Sequence, residues 1–258
     1  MIRKILMGLL GISWAGVATA DWALNMPKGV TELSAETYDL HMMVFWVCVA
    51  IGVLVFGVMI YSLIMHRKAA NAVPANFTHS MKAEIIWTAL PVVILLVMAI
   101  PAAETMIKLE DARDPDMSVI VTAYQWKWHY KYQDQSVEFY STLARPSLEA
   151  RRLGANIDPF SVANYLLEVD NPMVVPVGAK VRLLLTSNDV IHSWWVPDLA
   201  IKKDAIPGIV NETWFRAEQT GTFRGQCAEL CGKDHGYMPI VIEVVEQDAY
   251  DAWLDTRS

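Results

Sequence analysis

The sequence predicts a membrane-anchored all-β protein: two transmembrane helices forming a hairpin, then a β-sandwich or barrel outside the bilayer. Three observations predict it. Two long apolar runs occupy residues 42–65 and 84–104. From about Met117 the texture changes to short β-branched or aromatic runs separated by Pro, Gly and Asn. In addition, 54% of the 258 residues are hydrophobic, which is high for a chain without membrane segments.

The elements follow in order. Residues 1–20 read as a signal peptide: Arg3 and Lys4, an apolar stretch from Ile5 to Val17, and the small residues Ala18-Thr19-Ala20 before Asp21. A retained first helix is the alternative, but the stretch is shorter than the roughly 20 residues a bilayer requires. Residues 21–41 form an N-terminal segment outside the membrane. The first transmembrane helix, 42–65, contains no charged side chain, and its Cys48 reads as a small apolar filler. The loop 66–83 carries Arg67, Lys68 and Lys82 with no acid, which predicts a cytoplasmic position. The second helix, 84–104, lies between Glu84 and Glu104 and contains Pro91 and Pro101, which membrane helices tolerate. Residues 105–258 form the outer domain.

Within that domain Tyr124, Trp126, Trp128, Tyr130 and Tyr132 alternate with Gln125, Lys127, His129 and Lys131, predicting one strand with an aromatic face. Tyr165–Val169, Val181–Thr186, Thr213–Ala217 and Ile240–Val245 are further predicted strands of a small antiparallel sandwich or barrel. Residues 141–164 fit that pattern poorly and are expected to form an insertion with a helical turn or two, with no assigned role. Residues 104–258 hold 23 acidic and 15 basic side chains, a balance of −8. Such a domain repels nucleic acid and favours a basic partner. There is no repeat and no Gly-rich phosphate loop.

The chemistry concentrates in Cys227-Ala-Glu229-Leu-Cys231-Gly-Lys-Asp-His235-Gly-Tyr-Met238, with His192 upstream in Asp189-Val-Ile-His192-Ser-Trp-Trp-Val-Pro197. Soft thiolate and thioether donors beside imidazole select copper. The set is that of a mononuclear blue-copper site plus one further Cys. The second thiolate would let two coppers share both sulfurs, one His for each, with Met238 axial to one and the Glu229 carbonyl completing the other. A Cys227–Cys231 disulfide and a two-Cys, two-His zinc site remain open alternatives, as does plain packing for Met238.

Cys227-x3-Cys231-x3-His235-x2-Met238 with His192-Ser-Trp-x-Val-Pro resembles the dicopper centre of cytochrome c oxidase subunit II. Tyr124-Gln-Trp126-Lys-Trp128 and Asp204-Ala-Ile-Pro207-Gly208 extend the resemblance over nearly all of the chain after the signal peptide. It implies a cupredoxin-like outer domain holding two copper ions on His192, Cys227, Glu229 (backbone carbonyl), Cys231, His235 and Met238. It implies a magnesium ion on the Glu229 side chain at the contact with subunit I. Trp126 would accept electrons from a soluble cytochrome c that docks at Asp189, with Asp134 and Glu138 as neighbours. Glu84 would stand at the mouth of a proton channel shared with subunit I. The chain would then be a two-pass subunit of a terminal oxidase in the bacterial inner membrane, with its copper domain periplasmic. It would be bound to subunit I, the other oxidase subunits and membrane lipid, and would catalyse nothing by itself. The absence of Cys-x-x-Cys-His excludes a fused c-type haem domain, and the intact ligands argue against quinol-oxidase relatives. A membrane-anchored copper-delivery protein and the electron-accepting subunit of another reductase, such as one for nitrogen oxides, are the competing readings.

Overall fold

The computed structural model describes residues 25–70, 73 and 76–257; the expected signal peptide lies outside them. Helix α1 (Glu32–Met65) and helix α2 (Met81–Leu109) each contain an 18-residue apolar window with no buried residue. At 1.5 Å per residue they are about 50 and 44 Å long, so each exceeds the ~30 Å hydrocarbon core. The surplus stands at the end next to the β-domain, and there it is polar and tied down. Lys108 of α2 pairs with Glu36 of α1, and Thr105 is buried.

The helices are joined rigidly to the outer domain. Thr31 caps α1, its Oγ1 accepting from Ser34 N–H at 2.9 Å while Ser34 Oγ accepts from Thr31 N–H at 2.9 Å. Val30 N–H donates to the Asp198 carbonyl and Glu218 N–H to the Val30 carbonyl, both at 2.9 Å. The indole N–H of Trp214 reaches the Lys108 carbonyl at 3.1 Å, and Lys203 pairs with Glu110 at 2.9 Å.

The outer domain consists of two five-stranded sheets packed face to face. The strands are β1 (Met117–Tyr124), β2 (Lys127–Tyr132), β3 (Glu138–Ser141), β4 (Met173–Pro176), β5 (Lys180–Ser187), β6 (His192–Val196), β7 (Ile201–Ala205), β8 (Asn211–Arg216), β9 (Gly221–Cys227) and β10 (Pro239–Val245). One sheet runs β3-β2-β1-β5-β8 and the other β4-β10-β9-β6-β7. Alternate residues of each strand, such as Val181, Leu183 and Leu185, turn inward against Trp194, Ile240 and Ile242 of the facing sheet. Two short helices complete the described part, α3 (Arg145–Ala150) and α4 (Gln247–Asp255).

Three expectations are corrected. The aromatic run 124–132 is a hairpin rather than one strand: Tyr124 ends β1, Gln125 and Trp126 form the turn, and Trp128, Tyr130 and Tyr132 face the core from β2. The turn switches the inward parity, from Val119, Val121 and Ala123 on β1 to Trp128, Tyr130 and Tyr132 on β2, while Tyr124 faces away with its partner Lys127; aromatic residues on both faces continue the every-second spacing across the turn and hide it from the sequence. The sandwich is mixed, because β1 pairs parallel with β5 and β10 parallel with β4. Parallel pairing depends on long connections, which strand composition does not reveal. Tyr165–Val169 is not a strand. Asn164 and Leu166 have positive φ, and only Val169 makes a bridge, to Leu143. The insertion does contain helical turns, α3 and Pro159–Ser161.

Candidate metal centre

Two neighbouring strands bring the donors together. His192 opens β6 and Cys227 closes β9, and these strands pair antiparallel with Trp194 opposite Cys227. Gly225 permits this approach, since a Cβ there would lie 2.0 Å from the Trp195 carbonyl oxygen. After Cys227 the chain makes a loop and returns as β10, with Pro239 opposite Gln226. The loop carries Cys231 and, on the 3-10 turn His235–Tyr237, His235; Met238 directly precedes β10. Its two ends are held at one ladder rung, so four donors share a short closed segment.

The Sγ atoms of Cys227 and Cys231 are 3.8 Å apart. Cys227 Sγ lies 3.8 Å from His192 Nδ1 and 3.3 Å from the Glu229 carbonyl oxygen. Cys231 Sγ lies 3.5 Å from His235 Nδ1 and 3.6 Å from Met238 Sδ. Each sulfur therefore has its own imidazole and its own weaker donor. His192, Cys227, Cys231 and Met238 are buried.

A second layer orients these groups. His192 Nε2 is 2.9 Å from Asp189 Oδ1. A carboxylate only accepts, so Nε2 carries the proton and Nδ1 is left free to face Cys227. Burial pushes the Asp189 carboxyl up. Hydrogen bonds from His192 and from the Gln125 and Val190 N–H groups outweigh burial and hold it below the usual carboxylate range. The Cys231 carbonyl accepts from Gln125 Nε2 at 2.8 Å and from Trp126 Nε1 at 3.2 Å. Gly232, at φ +117°, lets both side chains close over the loop, since a Cβ would stand 3.1 Å from Gln125 Nε2. The buried Trp128 donates to the Met238 carbonyl at 3.2 Å and packs edge-on to His192 with ring centroids 6.1 Å apart.

These residues fit copper. A disulfide needs about 2.05 Å between sulfurs, and 3.8 Å is far outside that. Zinc would use the Cys and His donors, but it leaves the buried thioether of Met238 beside Cys231 without a purpose. Burial, and then the neighbouring Cys227 sulfur, push the Cys231 thiol up to about 12. A thiolate there at neutral pH needs a cation against it.

The remaining predicted residues fall in different places. The Glu229 side chain is exposed on the ligand loop. Asp189 belongs to the site itself. Asp134 and Glu138 are not its neighbours: Gln133 N–H bonds the Ser118 carbonyl and Glu138 pairs with Lys131. That end of the hairpin is about 20 Å along β1 from Gln125. Glu84 lies in the first turn of α2 behind the Ser80 cap, in a shallow concavity with Ile85, Thr88, Ala89 and Val92. The sequence reading gave no site role to Gln125, Trp128 or Gly225; Gln125 and Trp128 stood in the quoted aromatic run, while Gly225 had no local signal.

A profile of the family described as cytochrome c oxidase subunit II, periplasmic domain, matches residues 117–245, and one for the transmembrane domain of that subunit matches 19–105. The chain is 38% identical over 238 residues to a probable cytochrome c oxidase subunit 2 of Rickettsia bellii, covering 92% of this chain and 85% of that one. It is 37% identical over 236 residues to cytochrome c oxidase subunit 2 of Cereibacter sphaeroides, covering 87% and 77%. The crystal structure of the periplasmic domain of subunit II of cytochrome oxidase from Bradyrhizobium japonicum matches 57% of this chain and 96% of that one, at 43% identity and a TM-score of 0.49.

Proposed function

The chain belongs to the cytochrome c oxidase subunit II family, and from that premise we propose that it accepts single electrons from a soluble cytochrome c at a dicopper centre and hands them to haem in subunit I. The observation that carries the reading is the pair of unbonded sulfurs 3.8 Å apart, each with its own imidazole at 3.8 and 3.5 Å. His192, Cys227, the Glu229 carbonyl, Cys231, His235 and Met238 would hold the two ions. A copper pair bound here supplies one-electron chemistry, with the change of charge spread through both sulfurs.

The chain's own residues do the rest. The sheets fix His192 and Cys227 in register, so little rearrangement accompanies a change of oxidation state. Trp126, half-buried at the hairpin turn, offers a path from the surface to the Cys231 carbonyl through its N–H. This connection favours an electron carrier over a copper-delivery protein, which has no use for it. Asp189 presents negative charge beside His192, suited to a basic donor. On this reading the exposed Glu229 carboxylate would share a magnesium ion with subunit I. On this reading Glu84, in the first turn of α2 next to the basic connecting loop, would take up protons from the cytoplasm. Oxygen reduction to water and proton pumping then belong to the assembled complex in a bacterial inner membrane, with the β-domain periplasmic.

The test is copper per chain and the electron paramagnetic resonance spectrum of the full-length chain in detergent after copper loading. Two coppers sharing one unpaired electron are expected. One copper with a four-line pattern, or none, would overturn the dicopper reading.

A further inference from the structure

The insertion is a closed unit. At its neck Thr142 N–H and Oγ1 donate to the Asp170 carboxylate at 2.7 and 2.9 Å, and Asp170 N–H returns to the Thr142 carbonyl at 3.0 Å. Inside it, the Oγ of buried Ser147 on α3 accepts from Leu166 N–H at 3.1 Å. Two ion pairs leave this unit, and both land on segments that deliver the sulfur and imidazole donors. Glu168 pairs with Arg224 on β9 at 2.9 Å, shortly before Cys227. Arg151, at the end of α3, pairs with Asp234 at 2.9 Å, and its guanidinium carbon lies 3.8 Å above the Tyr237 ring.

The second contact grips the turn that carries His235. Asp234 is the residue before the turn and Tyr237 is its last, so one planar cation touches both ends. The Arg151 and Asp234 side chains are only 25% and 23% exposed, so water screens the pair less than at an open surface. The need for such support is visible in the geometry. His192 is fully buried in a strand, with a carboxylate on its ring. His235 is half-buried outside any strand. Its turn is held from within by His235 N–H to the Gly232 carbonyl at 3.2 Å and Tyr237 N–H to the Asp234 carbonyl at 2.9 Å.

We infer that Arg151 is a positioning residue for His235, holding the turn so that Nδ1 faces Cys231 Sγ and so governing copper retention on the Cys231–His235 side; this rests on the copper reading above. The insertion is then a strap across the ligand loop.

The experiment compares the full-length chain in detergent with Arg151→Met, Asp234→Asn and, as a control within the same unit, Arg145→Met, which pairs with Glu149 on the same helix. Three quantities are measured: copper release to a chelator, the resonance spectrum of the loaded chain, and amide hydrogen exchange of residues 234–238 without metal. Arg151→Met is expected to release copper roughly 3- to 10-fold faster, at or below the range found for partners that touch a ligand directly. Its hyperfine pattern should shift and its 234–238 amides should exchange faster, while Arg145→Met matches the parent. Asp234→Asn should move all three in the same direction, and it carries the test should Arg151→Met not fold. Parental release, spectrum and exchange in the Arg151 or Asp234 variant would overturn the inference. A parent chain that takes up no copper would sink the dicopper reading instead. The exchange of 234–238 would then still decide whether Arg151 holds the turn, with unchanged exchange counting against it.

Discussion

At Asp189 one carboxylate accepts hydrogen bonds from His192 Nε2–H, Gln125 N–H and Val190 N–H. It thereby couples the β1–β2 turn to the start of β6. Asp189→Asn keeps an acceptor oxygen and removes the charge that favours proton placement on Nε2. Copper release to a chelator should accelerate about tenfold, the lower end of what such partners contribute; an unchanged rate would return Asp189 to the role of a docking charge alone. Trp126→Ala removes the N–H to the Cys231 carbonyl while Gln125 Nε2 still bonds it. Stopped-flow electron uptake should slow roughly tenfold, about 1.4 kcal/mol of barrier, with copper content at the parental level. Cys227→Ser or Cys231→Ser should abolish the spectrum of an electron shared between two coppers while both helices stay inserted in the membrane. Survival of that spectrum would remove the mutated sulfur from the ligand set.

At the scale of elements, the centre depends on how closely β6 and β9 approach. Gly225→Ala would place a Cβ 2.0 Å from the Trp195 carbonyl oxygen, a backbone atom in a paired strand. The strands must separate, and His192 moves off Cys227 with them. Copper binding should be lost and the domain destabilised by about 1–3 kcal/mol or more, as overpacking does; full copper occupancy in this variant would show that the ladder tolerates the spread. The capping box at Thr31 is the joint between membrane and domain. Thr31→Ala should cost about 1 kcal/mol in denaturant unfolding of the detergent-solubilised chain, with the copper spectrum unchanged. The elements also show where sequence patterns stop being readable. Short β-branched or apolar runs located β5, β8 and β10. They missed β3, β4, β6, β7 and β9; of these β6 and β7 are short and separated by the turn Pro197–Leu199.

At the scale of the molecule, the outer domain is acidic and fixed on its helices by Trp214, Lys203 and the Val30–Asp198 contact. A net charge of −8 over residues 104–258 attracts a basic donor at long range. Association with a basic cytochrome c should therefore slow about tenfold or more as ionic strength rises from about 0.01 to 0.2 M, since the screening length falls from roughly 30 to below 10 Å. A rate independent of salt would show that docking is apolar. Helices α1 and α2 leave Leu54, Leu63 and Leu96 exposed, an apolar surface of the kind that marks a membrane or protein contact.

The sequence by itself determined the features that depend on residue type and local spacing. It located the apolar runs, because a bilayer requires about 20 uncharged residues in succession. It located the ligand loop, because Cys227, Cys231, His235 and Met238 fall in one segment and their softness selects the metal. Tertiary structure decided what depends on pairing between distant segments. It brought His192 to 3.8 Å from Cys227, 35 positions away, through the register that sets Trp194 of β6 opposite Cys227 of β9. It turned the aromatic run into a hairpin with Trp126 at its tip, paired β1 parallel with β5, and sent Asp134 and Glu138 to the far end. It also carried Arg151 onto Asp234 across 83 positions. Local patterns record which face of an element is buried; they hold no record of which other element buries it, because that is set by the packing energy of the whole domain.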